Sequence, residues 1–461
     1  MRRGGRGLGR LFGTDGVRGI INRDFTPEFV LKLSLAIGSF FGEGSRILVG
    51  RDARAGGYIF KSILIGGLLA SGIKVYDCDL APTPAIQYVV SKHGFDGGVV
   101  VTASHNPPHY NGIKVIAADG IEIDRNSEEV IEDIFFTERF RRVDWASLVN
   151  EPVPYRVVNE IYVKAIIDLV DRDLIAKKGF RVLVDPGNSV AALTTPIIAR
   201  ELGVKVMTIN SDLNPHFTSR EPEPTMENLS TTIATVRGLN VDLAVAHDGD
   251  GDRAIFIDDL GRYIPGERSA ALLIEHLVDK HPGLSRKVYT AVSSSNFIEE
   301  YLKKYGVEFV WLKVGSVGIA REMKSRGDAL CGFEENGGFM YPIHQFVRDG
   351  GASFALMLEY LASNNIKLSE AYAKLPKTCV VKTKIHMDRA RADRVVETIK
   401  NLYSGYRMVT VDGVKVITSN YWFLVRPSGT EPLLRIHVEA IDDDTANRVL
   451  QELKKIIDGV L

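Results

Sequence analysis

The sequence predicts an α/β protein of four domains: three similar α/β domains with mixed, mostly parallel sheets and a C-terminal α+β domain, around a central cleft. Three observations predict it. The chain has 461 residues, and at roughly 100–200 residues per domain that length implies three or four domains. A strand–helix–glycine–strand pattern recurs three times along the first three quarters. The remaining quarter follows a different pattern.

In the first copy Arg46–Arg51 (RILVGR) reads as a buried strand, a helical run ends at Gly72, and IKVYDC is the next strand. In the second, Phe180–Asp185 (FRVLVD) is the strand, TTPIIARELG the helix ending at Gly203, and VKVMTI the strand after it. In the third, Lys287–Val292 (KVYTAV) is followed by NFIEEYLKKYG, ending at Gly306, and by VEFVWL. Each glycine falls just past the last helical residue, where a left-handed cap is needed. Continuous Val/Ile/Leu strands joined by helices imply parallel strands covered on both faces. In the tail, Val380–Ile385 alternates as a strand, Ala390–Leu402 is helix-like, WFLVRPSGTEPLLRIHVEA reads as strand–loop–strand, and Asp444–Ile457 is a closing helix. Turn residues cluster at the junctions, so the expected domains are 1–152, 153–262, 263–372 and 373–461.

Composition excludes several function classes. With 45% hydrophobic and 25% charged residues the chain is neither disordered nor fibrous. Lys+Arg number 57 against 58 Asp+Glu, so no basic excess favours nucleic acid. Cys78, Cys331 and Cys379 are too few and too scattered for a disulfide framework or a cysteine-rich metal site. The apolar stretch around Ile63–Ile73 is too short to span a bilayer. The N-terminal MRRGGRGLGRLFGTDGVRG has arginines without an uninterrupted apolar region behind them, unlike a signal peptide. The expectation is a soluble cytoplasmic protein, a monomer or small homo-oligomer, without nucleic-acid or membrane partners.

Each α/β copy then reaches a strand that empties into a polar, glycine-rich loop, the place where open parallel sheets bind ligands. In VDLAVAHDGDGDRAIFI, Asp248, Asp250 and Asp252 alternate with Gly249 and Gly251, which lets three carboxylates converge on one cation. All-oxygen ligands suit Mg²⁺. A solvated acidic turn is the plainer reading. An EF-hand is excluded, because Arg253 stands where that loop needs glycine and Asp259 where it needs glutamate. In GGVVVTASHNPPHYNGIKV, Ser104 follows a buried strand and precedes His105, Asn106 and two stiffening prolines. A serine held this way is a candidate nucleophile or phosphate carrier, although the Ser-His pair alone is better read as a structural turn. RPSGTEPLLR offers Arg426, Ser428, Gly429 and Thr430, the parts of a phosphate cradle, or a plain hairpin turn. GTDGVRG places Arg18 among glycines, and GFEENGG presents Glu334, Glu335 and Asn336 for sugar hydroxyls or as a surface turn. No Walker A sequence or GxGxxG is present.

Together the loops resemble those of the α-D-phosphohexomutase family, which includes phosphoglucomutases, phosphomannomutases and phosphoglucosamine mutases. TASHNPPHYNGIK is similar to its phosphoserine loop, DGDGDR to its metal loop, GFEENGG to its sugar loop and RPSGTEP to its phosphate-binding loop, in the family's order over about residues 11–455. The whole chain is most similar to the archaeal phosphoglucomutase/phosphomannomutase branch. The resemblance implies that Ser104 carries a phosphoryl group and that Mg²⁺ sits between it and Asp248, Asp250 and Asp252. Ser104, Lys114, Arg18 and His105 are then the catalytic candidates. Arg253, Glu334, Asn336, Arg426, Ser428, Gly429 and Thr430 are the substrate-binding ones. The implied reaction interconverts hexose 1-phosphate and 6-phosphate, of glucose or mannose, through a hexose 1,6-bisphosphate that also acts as activator. The alternative substrate is glucosamine phosphate, and a third reading is an inactive sugar-phosphate-binding paralogue. The sugar loop departs from the family pattern: Asn336 replaces a serine, Gly338 a histidine, and Ser316 a second histidine. Lys114 is therefore the expected proton-transfer group, with His344 as the substitute.

Overall fold

The computed structural model describes residues 11–13, 15–429 and 431–460. The arginine-bearing start of the chain and Thr430 lie outside them. Four sheets follow one another along the sequence. In the first, Arg46–Arg51 pairs in parallel with both Lys74–Leu80 and Gly97–Val101, and Tyr110–Ala117 returns antiparallel to Gly97–Val101. The second repeats this with Arg181–Asp185 between Lys205–Thr208 and Leu243–His247, followed by antiparallel Ala254–Asp258. The third repeats it again with Lys287–Ala291 between Glu308–Leu312 and Ala329–Phe333, followed by Phe339–Tyr341. Three parallel strands and an antiparallel hairpin are thus the common unit. The hairpin, not a further crossover, carries the polar loop in all three units.

The helix-terminating glycines expected in the three copies adopt the left-handed conformation, with φ of 81° at Gly72, 76° at Gly203 and 72° at Gly306. The continuous hydrophobic strands are covered on both faces as expected. In Arg46–Arg51, Leu48 enters one core while Ile47 and Val49 enter another. The first of these cores is shared by all three α/β units. Its centre is the helix Gly350–Asn364, buried almost all round and capped by Asp349, whose carboxylate accepts from Ala352 N–H at 2.9 Å. One core through three units fixes the loops they present relative to one another.

The fourth sheet is antiparallel, in the order Cys379–His386, Leu433–Ala440, Tyr421–Pro427, Val414–Ile417, Arg407–Val409, with helices Arg389–Leu402 and Asp443–Val460 against it. The two short strands are a hairpin that the sequence reading did not single out; three and four residues are too few to show a period of two. This domain has a separate core. A small apolar cluster of Val292, Trp422 and Leu424 joins it to the third unit. Around that joint, Lys415 lies between the Trp311 and Trp422 rings at 3.9 and 4.0 Å, and Glu439 takes both Arg268 and the Trp422 indole N–H, each at 2.6 Å.

Candidate active site

The serine loop leaves the fully buried strand Gly97–Val101. Its first residue, Thr102, accepts the Ser104 N–H at 2.8 Å and donates to Asp52 at 2.6 Å. Asp52 pairs with Arg54 at 2.7 Å, and Arg54 donates in turn to the Ser104 carbonyl at 2.6 Å. This closed ring holds Ser104 at a φ of 49°, a left-handed conformation that costs a non-glycine residue about 1 kcal/mol or more. The hydroxyl is thereby turned toward the metal-type loop, where it donates to Asp248 Oδ2 at 2.8 Å. Asp52 and Arg54 were not anticipated from sequence. Charged residues directly after a buried strand (RDAR) were the available signal.

Asp248, Asp250 and Asp252 are all buried, and each offers a carboxylate oxygen within 4.8 Å of the others. Asp250 Oδ1 and Asp252 Oδ1 are buried and accept no hydrogen bond. Orphaned carboxylate oxygens at such spacing fit a hard divalent cation that takes oxygen ligands, such as Mg²⁺. Burial, reinforced by Asp252 and Asp250, raises the Asp248 carboxyl well above its ordinary range. Burial acts the same way on Asp250, but Lys114 and the Thr83 hydroxyl outweigh it and hold that group below its ordinary value. The backbones of the serine and aspartate loops touch. A Cβ added at Gly249 would lie 2.5 Å from the Ser104 carbonyl oxygen. Gly249→Ala is expected to push the loops apart and lower the catalytic rate about 100-fold, the usual cost of a misplacement near 1 Å. The melting temperature should change far less than the rate, which calorimetry alongside the assay would check.

Lys114 is fully buried, with Nζ 2.9 Å from Asp250 and 3.4 Å from both Asp252 and Asp15. Burial alone would push its ammonium down, but the three carboxylates hold it above the usual lysine range. It is built to stay charged, which suits stabilising an anion and disfavours accepting a proton. His105 is drawn the other way: burial, then Arg253 and Arg18, lower its pKa to about 2. Its neutral ring accepts from Arg253 Nη2 at 2.8 Å through Nδ1, which also lies 3.4 Å from Ser104 Oγ. Arg18 pairs with Asp15 and donates to Asn106 Oδ1 at 2.6 Å, bracing the serine loop from the first strand.

The sugar-type loop meets this cluster through Arg348. Its guanidinium contacts Glu334 at 3.0 Å, Asp252 at 2.6 Å and Asp15 at 3.3 Å. Neither Arg348 nor Asp15 was foreseen. Arg348 also explains Gly338, since a Cβ there would lie 2.3 Å from Arg348 Cδ; the arginine fills the room a histidine would need. Asn336 turns its Oδ1 back to accept from Gly338 N–H at 3.1 Å. Ser316 starts the helix Ser316–Arg326 and is buried. His344 is committed elsewhere: its ring stacks on Tyr88 at 4.7 Å and faces Asp349 at 3.2 Å, within the packing of the α/β units. In the fourth domain, Arg426 pairs with Asp412 at 3.2 Å and lines a cavity of about 330 Å³ shared with the third unit. Ser428 accepts from Glu431 N–H at 3.3 Å in the turn that includes Gly429. Glu335, in the sugar-type loop, reaches across to Lys382 of the fourth domain at 2.7 Å.

The four phosphoglucomutase/phosphomannomutase domain models match in succession: alpha/beta/alpha domains I, II and III at residues 9–142, 160–261 and 265–379, and the C-terminal domain at 378–456. A phosphoglucosamine/phosphogalactosamine mutase of Sulfurisphaera tokodaii is 54% identical over 455 residues, covering 98% of this chain and 100% of that protein. A phosphoglucomutase/phosphomannomutase of Thermococcus kodakarensis is 39% identical over 463 residues, with 98% and 100% covered. Among solved structures, a putative phosphomannomutase from Thermus thermophilus superposes with a TM-score of 0.82 at 26% identity, covering 97% of this chain and 98% of that one.

Proposed function

The chain belongs to the phosphoglucomutase/phosphomannomutase family and is an enzyme of intramolecular phosphoryl transfer, and from that premise we propose that it interconverts hexosamine 1-phosphate and 6-phosphate through Ser104. The 54% relative carries the choice of sugar. Glucose and mannose, which the sequence reading put first, become the second reading, favoured by the 39% relative. A coupled assay with the 6-phosphates of glucosamine, galactosamine, glucose and mannose tests the choice. The amino sugars should have kcat/KM values at least about 10-fold higher. Higher values for glucose or mannose would reverse it.

In this proposal the enzyme works with Ser104 phosphorylated. A free hydroxyl of the hexosamine phosphate attacks that phosphorus, the bond to Ser104 Oγ breaks, the hydroxyl's proton ends on Ser104 Oγ, and a hexosamine 1,6-bisphosphate forms. After the bisphosphate turns over, Ser104 Oγ takes the other phosphoryl group and the product leaves. The same bisphosphate would act as activator by phosphorylating Ser104. Asp248, Asp250 and Asp252 would hold Mg²⁺ with the serine phosphate, and the ion would supply neutralisation of phosphoryl charge. Lys114 adds a fixed positive charge beside the same carboxylates. Arg253 and Arg18 keep His105 neutral and the serine loop in register. Arg426, with Ser428 and Gly429, grips the phosphate that is not being transferred; Thr430 belongs to this cradle by sequence.

Arg426→Ala is expected to raise KM for the sugar phosphate about 10-fold and also to lower kcat, because binding energy from the remote phosphate positions the reacting end. Steady-state kinetics that left both constants unchanged would remove Arg426 from the cradle.

A further inference from the structure

We propose that Glu335 is the carboxylate that receives the 2-ammonium of a hexosamine phosphate, and that the Lys382 ammonium holds its place when no sugar is bound; this rests on the amino-sugar reading above. A cavity of about 330 Å³ lies between the third and fourth domains. Lys382, Lys384, Arg426 and Arg435 line it, as suits a phosphorylated ligand, and among its described lining residues Glu335 is the one carboxylate. A hexose phosphate without an amino group would offer that carboxylate hydroxyl donors and no counter-charge. A ligand with a phosphate at one carbon and an ammonium at another supplies one.

The neighbouring acidic groups are otherwise engaged. Glu334 is buried and bound to Arg348, which also contacts Asp252. Asp412 is paired with Arg426. Burial, reinforced by Glu439, raises Glu267 to about 8, so it is largely uncharged near neutrality. Glu335 instead meets an ammonium already, Lys382 Nζ at 2.7 Å. The Lys382 side chain is 54% exposed, so its head group returns to water at little cost when displaced. His437 Nδ1 lies 3.8 Å from the Glu335 carboxylate. Burial, then Lys382 and Lys415, hold its pKa well below the ordinary value, so it stays neutral and does not compete as a cation. Exchanging one ammonium for another keeps the charge balance of the pair. A 2-hydroxyl could not make that exchange without leaving the carboxylate short of its counter-charge. The position is also apt. Glu335 adjoins Glu334, which is linked through Arg348 to the metal-type loop, and it shares its cavity with Arg426.

The test is Glu335→Gln, assayed with glucosamine 6-phosphate, galactosamine 6-phosphate and glucose 6-phosphate. For both amino sugars kcat/KM should fall about 10-fold to 100-fold, the range for a lost charge-assisted hydrogen bond, with less than about a 2-fold change for glucose. Lys382→Ala, which removes the competitor and keeps Glu335, should lower KM for the amino sugars relative to that for glucose 6-phosphate. An equal loss on all three sugars would assign Glu335 a structural role and overturn the proposal. So would wild-type values for Glu335→Gln on amino sugars that the wild-type enzyme turns over; the amino-sugar reading would then stand alone. Wild-type enzyme that turns over glucose phosphate and neither amino sugar would overturn that reading and this inference with it.

Discussion

Purified Ser104→Ala is expected to lose mutase activity by at least about 10,000-fold, as enzymes do when a covalent nucleophile is removed, and to take up no phosphoryl group from a hexosamine 1,6-bisphosphate by intact-mass analysis. The fold should survive. Alanine bears the left-handed φ of 49° about as well as serine, and the ring of Thr102, Asp52 and Arg54 that sets it uses only the backbone of residue 104. Ser104→Gly sharpens the test, because glycine adopts that conformation without penalty. It should be as inactive as the alanine variant and more stable than the wild type by up to about 1 kcal/mol. A stability gain with total loss of activity would show that the strain is kept for the hydroxyl's position. Near-wild-type turnover by either variant would end the phosphoserine reading.

The three repeated units were legible because each rests on a local signal. Val/Ile/Leu strands, helices and terminal glycines at 72, 203 and 306 lie within a few tens of residues of one another, and the structure has all three glycines left-handed. The tail strands Cys379–His386 and Leu433–Ala440 were legible for the same reason. The loops could be picked out because glycine and aspartate at strand ends are conspicuous. What could not be read was the wiring among the loops. Arg348 reaches Asp252 across 96 positions and Asp15 across 333, and nothing in FVRDGG distinguishes it from an arginine on a surface. Without Arg348, Gly338 looked like a lost histidine and His344 like its replacement; the arginine occupies that room, and His344 packs on Tyr88. Asn336 reads as a sugar ligand, yet its oxygen closes its own turn. Charge balance is equally non-local: Lys114 was expected to move a proton, and only the convergence of Asp15, Asp250 and Asp252 on it reveals why it stays protonated.

Lys114→Met is expected to lower kcat about 100-fold or more for every sugar phosphate alike, since a fixed positive charge in a water-excluded site then no longer offsets charge developing on the phosphoryl group. It should also destabilise the metal-free protein by about 3–5 kcal/mol, the usual cost of removing one partner from a buried ionic cluster. Asp250, Asp252 and Asp15 would share a buried space with one cation fewer, Arg348 remaining to Asp252 and Asp15. That second effect has a diagnostic consequence. Lys114 pairs with Asp250 and Asp252, two of the three carboxylates proposed to hold the divalent cation. Removing the lysine therefore favours the ion: the variant should bind Mg²⁺ more tightly than the wild type, and its melting temperature should rise more on Mg²⁺ addition. A merely structural role for Lys114 would lower stability without shifting the Mg²⁺ midpoint. Weaker Mg²⁺ binding by the folded variant would mean that Lys114 orders the aspartates for the metal and does not oppose it. Thermal melts titrated with Mg²⁺, alongside kcat at saturating metal, separate the three outcomes.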